Sequence, residues 1–391
     1  MKIAIVGCGT AGPAAGLFLS RRGHDVTVFE RVEDPGPVGA GIMLQPTGMT
    51  VMRRLGLLQP VLAAGDVVER LYGVTRGGRV VLDLAYPDWR PGLFGLGLHR
   101  GALFQVLFDA LKDSSAHLEL GVEVVDVAGD HLVDTEGRRF GPYDLVVVAD
   151  GARSLLRGSE GVAKRARPYD WGALWAIVPD PDGHYAGVLD QVYDGAEIMV
   201  GMLPTGTSPT STERLVSLFW SIHRERVGDW QFEPWRDQVA ELAPQAVPIL
   251  DQLVDPEQIT WAEYHDVVLK KPYDGRVLYI GDAAHAMSPQ LGQGANLALY
   301  DAMVLDEVLA EGGGLDEYAR RRWRHLFFYQ HVNRLVTPFF QSDSGAIGRM
   351  RDVLFGPMCR MPFFRGQMLG SMAGAKEGIW AEVFTDPPTR G

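Results

Sequence analysis

Cysteine is almost absent from this chain. Only Cys8 and Cys359 occur in 391 residues, too few for a disulfide framework, so a reducing cytoplasmic setting is expected. Neither CxxC nor HExxH is present, and the ten histidines show no ligand-like spacing, so no metal is expected. Basic charge is also in short supply. Lys and Arg number 37 against 49 Asp and Glu, a net of −12, which argues against a nucleic-acid partner. No apolar run reaches the roughly 18 residues of a membrane span. Met1 to Ser20 is apolar after one lysine, as a secretory leader would be, but Gly7, Gly9, Gly12 and Pro13 interrupt it. Internal repeats and low-complexity tracts are missing as well. These absences leave a soluble protein, expected to be a monomer or homodimer. At 46% hydrophobic it has ample material for two or three domains.

What is present is concentrated in glycine-rich turns. The run 281–296 reads GDAAHAMSPQLGQGAN. It follows an apolar strand, Arg276 to Ile280, and leads into a helical stretch, Ala295 to Leu309. Asp282 would stand at the carboxyl end of a strand, where ligands gather in α/β sheets. The N–H groups around Gly292, Gln293 and Gly294 would open a helix N-terminus that favours electron-rich groups. A plain strand–turn–helix link would also use glycine, but functional residues concentrate on such loops.

The amino end carries a second turn. Lys2 to Val6 reads as a strand, Gly12 to Arg22 as a helix, and Asp25 to Phe29 as a strand ending on Glu30. Between them lies GCGTAG, a GxGxxG in the context that dinucleotide binding requires. Its glycines serve the tight turn, the approach of a pyrophosphate and helix–strand packing. Pro13 suits a helix start. Glu30 follows Gly12 by 18 residues, near the spacing of about 20 for an acid that binds ribose. Cys8 reads as a small buried residue and not a redox thiol.

Further on, Val38 to Leu44 (VGAGIML) is glycine-rich and then apolar, with a helix expected from Pro46 to Leu55. Its glycines, Gly41 among them, allow backbone to pass close to a planar ligand. Val67 to Leu84 predicts two antiparallel strands turning at Gly77-Gly78. Arg100 opens a helical segment, either as a phosphate or ribityl contact or as a solvated helix-start arginine. Tyr143 to Ala149 is a strong strand that runs into Asp150-Gly151-Ala152-Arg153-Ser154. In 168–265, short runs punctuated by Gly, Pro and aromatics predict an inserted antiparallel sheet: Leu174–Pro179, Gly187–Tyr193, Ile198–Leu203, Leu215–His223 and Ile259–His265. Residues 315–337 and 345–355 look helical. Arg320-Arg321-Arg322-Arg324 reads first as a solvated face.

Three motifs now agree in order and separation: GCGTAG with Glu30-Arg31, DGARS with Arg157, and GDAAHAMSPQLGQGAN. The set resembles the single-component FAD-dependent aromatic hydroxylases related to para-hydroxybenzoate and salicylate hydroxylases, over roughly residues 2–310. The resemblance implies an α/β fold. A Rossmann-like FAD-binding domain with a mixed sheet carries an inserted antiparallel-sheet substrate domain and a helical C-terminal region. The corresponding division is 1–165 (FAD-binding, with the small strand pair near 67–84), 166–270 (substrate sheet), 271–311 (FAD-binding, second part) and 312–391 (helical).

The resemblance also implies roles. Gly7, Gly9, Ala11 and Gly12 would meet the FAD pyrophosphate; Glu30, with Arg31, would hold the adenosine ribose. Arg100 would contact the ribityl–phosphate region, Val124 the adenine through its backbone, and Asp282 the ribityl side. Gly292, Gly294, Ala295 and Asn296 would bring N–H groups to the isoalloxazine edge, with Gly41 nearby. Asp150 and Gly151 would serve FAD and NAD(P)H. Pro289, Gly292 and Gln293 would form the flavin and substrate face. NADH or NADPH would bind transiently and O2 would be the co-substrate. The implied reaction is hydroxylation of a small aromatic, heteroaromatic or polyketide-like substrate through a flavin C4a-hydroperoxide. Baeyer–Villiger insertion or epoxidation would use the same chemistry, and a non-oxygenating FAD-dependent reductase would share the fold. Candidates for the substrate pocket are Met43, Gln45, Tyr193, Met199, Met202, Trp220 and Leu291, each weighed against ordinary core packing. His285 reads as structural.

Overall fold

The computed structural model describes residues 1–36, 39–157 and 162–383. From the amino end, β1 (Lys2–Val6), α1 (Ala11–Arg21) and β2 (Asp25–Glu30) form a βαβ unit. β3 (Gly41–Leu44), α2 (Pro46–Arg54), α3 (Leu58–Ala64), β4 (Asp66–Thr75), β5 (Val80–Ala85) and β6 (Gly95–His99) follow. Next come α4 (Arg100–Lys112), β7 (His117–Leu120), β8 (Val124–Ala128), β9 (His131–Asp134), β10 (Arg139–Phe140) and β11 (Leu145–Val148). Four long strands come after these: β12 (Ala163–Pro179), β13 (Gly187–Asp194), β14 (Ile198–Ser208) and β15 (Ser211–His223). Helices α5 (Phe232–Leu242) and α6 (Val247–Leu250) lead to β16 (Thr260–Leu269), β17 (Tyr273–Asp274) and β18 (Val277–Tyr279). The remainder is helical: α7 (Asp282–His285), α8 (Gly294–Ala310), α9 (Leu315–Val336), α10 (Gly345–Arg360) and α11 (Pro362–Met372).

The first sheet runs β17-β18-β11-β1-β2-β7. All its pairs are parallel except β17 with β18, so it is mixed. β1 and β11 are buried on both faces, which is why both read as unbroken apolar runs. Successive residues of a strand point to opposite faces. Ile3 and Ile5 meet α1, α4 and α8, whereas Ala4 and Val6 meet Val124, Leu132 and Phe140 of the small sheet β10-β9-β8. Burying each of these branched side chains stabilises the sheet by about 1.5–3 kcal/mol.

The second sheet runs β16-β12-β15-β14-β13-β4-β6-β3, with β5 on β4. Its inserted strands pair antiparallel with one another. The hairpin expected near 67–84 forms, but it is continuous with this sheet, because β4 pairs in parallel with β13. β12 starts at Ala163, well before the expected Leu174. Its first half is polar and mostly exposed, so hydrophobic patterning is silent there. The two faces of the sheet differ. Val216, Leu218, Trp220 and Ile222 pack with Trp235 and Val239 of α5. On the other face Phe219 packs with Tyr193, Met199 and Phe340, under the C-terminal helices.

Candidate functional site

Three glycine turns meet at the carboxyl ends of β2, β1, β11 and β18, which are neighbours in that order. Gly7 leaves β1 with φ at +103°, a conformation open to glycine, and donates its N–H to the Phe29 oxygen at 2.8 Å. A Cβ on Gly7 would press on Ala149 and Asp150, so the first turn lies directly against the Asp-Gly turn. A Cβ on Gly12 would overlap the Gly7 carbonyl oxygen, whereas one on Gly9 would meet nothing within 4 Å. The third glycine is therefore a packing glycine, and the second faces open space. A Cβ on Gly281 would lie 3.1 Å from that of Ala11 and 3.3 Å from that of Ala298, which wedges the third turn between α1 and α8. Arg157 ties the last two turns together by donating to the carbonyls of Ala152 and Ala283.

Both helices that start here, α1 and α8, lack a side-chain cap. Their first-turn N–H groups have no intrahelical acceptor and favour negative charge. Around this cradle, Glu30 accepts from the N–H groups of Cys8 (2.8 Å) and Val32 (3.0 Å). Val124 lies just beyond Val122, whose N–H bonds the Glu30 carbonyl. Arg100 donates its N–H to Ala40 and lays its side chain on Gly39. Arg31, Arg100 and Asp282 are exposed. Asp150 is half-buried with an unpartnered Oδ1, and burial raises its pKa against the opposing pull of Ser154 and Arg157. Burial, followed by the Glu30 charge, pushes the Cys8 thiol up to about 12, so it stays neutral.

A family model described as "FAD binding domain" matches residues 1–325. The chain belongs to this FAD-binding family. It is 29% identical to 3-amino-4-hydroxybenzoate 2-monooxygenase of Streptomyces cremeus over 88% of this chain and 89% of the relative. It is 27% identical to 6-hydroxynicotinate 3-monooxygenase of Pseudomonas fluorescens, over 80% and 83%. Among solved structures, the tetrameric form of 2-methyl-3-hydroxypyridine-5-carboxylic acid oxygenase superposes with a TM-score of 0.72. It is 24% identical and 95% of each chain is covered, a likeness of fold.

The residues present fit FAD. The open Gly9 and the two uncapped helix ends suit a pyrophosphate, and Glu30 and Asp282 suit sugar hydroxyls. At α8 the expectation needs one correction. The Gly292 N–H closes a turn onto Pro289 O at 2.8 Å, so the free donors start at Gln293 and continue through Gly294, Ala295 and Asn296. The Asn296 side chain and the Gln293 amide nitrogen are engaged within the protein, whereas Gln293 Oε1 is buried without a partner. Gln293 Nε2 donates to the carbonyls of Leu291 and Met372. Asn296 Oδ1 accepts from Gln45 N–H at 2.8 Å, and its Nδ2 donates to Met43 O and Gly292 O. Gly41 lacks a side chain because Thr205 and Ser217 fill that space. Val38 lies outside the described residues.

Of the substrate candidates, Leu291 belongs to the α8 turn itself, and Met43 and Gln45 reach it from the end of β3. A Cβ on Gly292 would lie 3.6 Å from Gln45 Nε2 and 3.7 Å from Met43 Cβ. Gln45 is fully buried. Tyr86 donates to its Oε1 at 2.6 Å and its Nε2 has no partner. Trp220 and Met202 point to the opposite sheet face, because alternation puts them with α5; Trp220 lines a separate cavity of about 430 Å³ there. Tyr193 and Met199 belong to the aromatic core under α10, with the Arg351 guanidinium 4.6 Å from the Tyr193 ring. Leu291 packs on Leu297 and Tyr329.

Sequence reasoning missed the network behind the third turn. Asp301, fully buried on α8, accepts from Gly281 N–H (2.7 Å), His285 Nε2 (2.6 Å) and Arg322 Nε (2.7 Å). Arg322 is 1% exposed, so this member of the arginine cluster is no solvated face. Burial pushes the Asp301 carboxyl up, but its interactions with His285, Arg322 and the Gly281 N–H outweigh that cost and hold it well below its ordinary value. Arg322 Nη1 donates to His325 Nδ1 at 2.6 Å, which leaves the ring proton on Nε2, facing Gly374 O at 2.8 Å. An aspartate seven residues past Gly294 on a helix with no other reason to bury a charge was the available signal.

Proposed function

We propose that this chain hydroxylates a small aromatic or heteroaromatic substrate at the expense of NAD(P)H and dioxygen, with FAD as its resident cofactor. The observation that carries this reading is the convergence of three motif turns on four adjacent strand ends. The named hydroxylating relatives, which act on ring substrates, support it. When bound, FAD supplies hydride acceptance and oxygen activation. The protein's own part is to bind, orient and shield. Gly9 and the α1 N-terminus receive the pyrophosphate. Asp282 holds the ribityl side and Glu30 the adenosine ribose. The free N–H groups of Gly294, Ala295 and Asn296 oppose negative charge at the ring edge, as donors do in an oxyanion hole. Asp150 and Gly151 border the path for the nicotinamide. The ring substrate lies on the side of Pro289, Met43 and Gln45, under the sheet. The division at 166–270 marks the substrate unit, to which β3 to β6 contribute.

The test is NADH and NADPH oxidation with oxygen uptake against phenols, aminohydroxybenzoates, hydroxypyridines and polyketide aromatics. Ring hydroxylation with one atom of labelled dioxygen in the product is expected. Substrate-stimulated NAD(P)H use without label in the product points to a reductase and ends the proposal; lactone or epoxide products reassign the oxygen insertion. Asp282→Ala is expected to purify colourless.

A further inference from the structure

Helix α10 has two apolar faces, and among the described residues only one of them is covered. Phe355, Gly356 and Cys359 pack inward against β5 and Phe340. Met350, Val353, Leu354, Pro357 and Met361 follow at i, i+3, i+4, i+7 and i+11, which sets them in one stripe on the outward side. They are exposed: Met350 45%, Val353 56%, Leu354 47% and Met361 50%. The stripe continues into α11 through Phe363 and Phe364. Trp380, 83% exposed, stands beside Phe363 with ring centroids 5.6 Å apart. Single exposed apolar residues are ordinary on a protein surface, but a stripe this long marks a contact surface.

Along α10 and the start of α11 the stripe is edged by more basic than acidic residues, whereas Glu377 and Glu382 flank Trp380. Residues 345–365 hold four arginines and one aspartate, a net of +3 in a chain of −12. Arg351 is buried and Arg365 pairs with Asp88. Arg349 and Arg360, both exposed, fall on one edge of the stripe and have no acidic partner among the described residues. Charge decides between occupants. A second copy docked about a two-fold axis would bring this net-positive stretch against the same stretch of its partner. An anionic bilayer takes both features at once: the aromatic, Met and Leu side chains enter the headgroup–acyl boundary and the arginines meet lipid phosphates. We propose that the outward face of α10, with Phe363, Phe364 and Trp380, docks this protein peripherally on an anionic lipid bilayer.

The experiment sediments the full FAD-loaded chain with phosphatidylcholine vesicles, with and without phosphatidylglycerol. Binding is expected on the phosphatidylglycerol vesicles, weakening as salt screens the arginines. Arg349→Ala with Arg360→Ala, and separately Leu354→Glu, are each expected to weaken partitioning about tenfold. These side chains are exposed, so flavin content and far-ultraviolet circular dichroism should hold, which separates lost docking from lost folding. Results of three kinds overturn the proposal. One is no binding to the anionic vesicles, or binding that Leu354→Glu leaves intact. Another is a dimer in solution that Leu354→Glu breaks, which makes a second copy the occupant. The third is binding only after deletion of residues 384–391, which makes that segment the occupant.

Discussion

Two helix N-termini face the same site, and they are held there in different ways. The turn before α1 is closed largely by itself and its own βαβ unit: Gly7 bonds the end of β2, and Gly12 packs on the Gly7 carbonyl. The turn before α8 is held from far away in sequence. Asn296 clasps Met43 and Gln45, Gln293 reaches Met372, and Asp301 ties Gly281 and His285 to Arg322 on α9. The difference separates two ways of presenting backbone N–H groups. One is written into six consecutive residues; the other depends on tertiary contacts.

The largest expected effect tests the second kind. Asp301→Ala would leave the fully buried Arg322 without its carboxylate and the Gly281 N–H without its acceptor. Breaking such a buried pair from one side costs about 3–5 kcal/mol, and the α8 turn should loosen with it. Urea unfolding and flavin retention measure both consequences. Full stability and full colour in this variant would mean that the α8 turn stands unaided, and the contrast between the two helix ends would collapse. Asp301→Leu with Arg322→Met, which removes both charges together, should recover part of the stability.

The same contrast explains what the sequence revealed. GxGxxG, the Asp-Gly turn and GDAAH are runs of adjacent residues whose backbone shape follows from their own glycines, so they could be read directly, and the structure brings them together. The six-stranded sheet was legible because parallel strands buried on both faces are unbroken apolar runs. The face that Trp220 presents was not legible. A one-residue change of register reverses every side chain on a strand, and only the pairing of Trp220 with Leu174 and Val200 fixes it. Arg322 looked solvated because three neighbours of the same type are at the surface, and its partner lies 21 residues upstream. At Gly41 the sequence did not show the close packing by Thr205 and Ser217 that leaves no room for a side chain.

A smaller effect sharpens the comparison through pH. Burial, then the nearby Arg322 charge, pulls His325 from its ordinary 6.5 down to about 3. Between those values the unfolded chain binds a proton that the native ring refuses, so stability falls as pH drops through that window. The slope is at most about 1.4 kcal/mol per pH unit. Asp301 is lowered from an ordinary 3.8, so its contribution is intact above about that pH and is lost only in stronger acid. Denaturant unfolding between these two limits therefore reports on His325 together with His24, His99 and His265, which burial also lowers, so His325→Gln should reduce the slope and not abolish it. An unchanged slope would remove His325 from the account and leave the α8 turn resting on Asp301 and Arg322.

The smallest expected change in stability belongs to Gly9→Ala, and it is the sharpest test of the α1 turn. The backbone at Gly9 is not in the left-handed region, and an added Cβ meets no atom within 4 Å. The apoprotein should therefore unfold within about 0.5 kcal/mol of the wild type, as surface substitutions away from special features do. If that open space is where the pyrophosphate approaches the backbone, the methyl group occupies it, and FAD should bind at least about tenfold more weakly, a loss of about 1.4 kcal/mol. The two readings, unfolding of the apoprotein and titration with FAD, must part company. Equal loss in both would make Gly9 a packing glycine like Gly12. Loss in neither would move the pyrophosphate away from this turn and leave α8, with its long-range supports, as the end that matters.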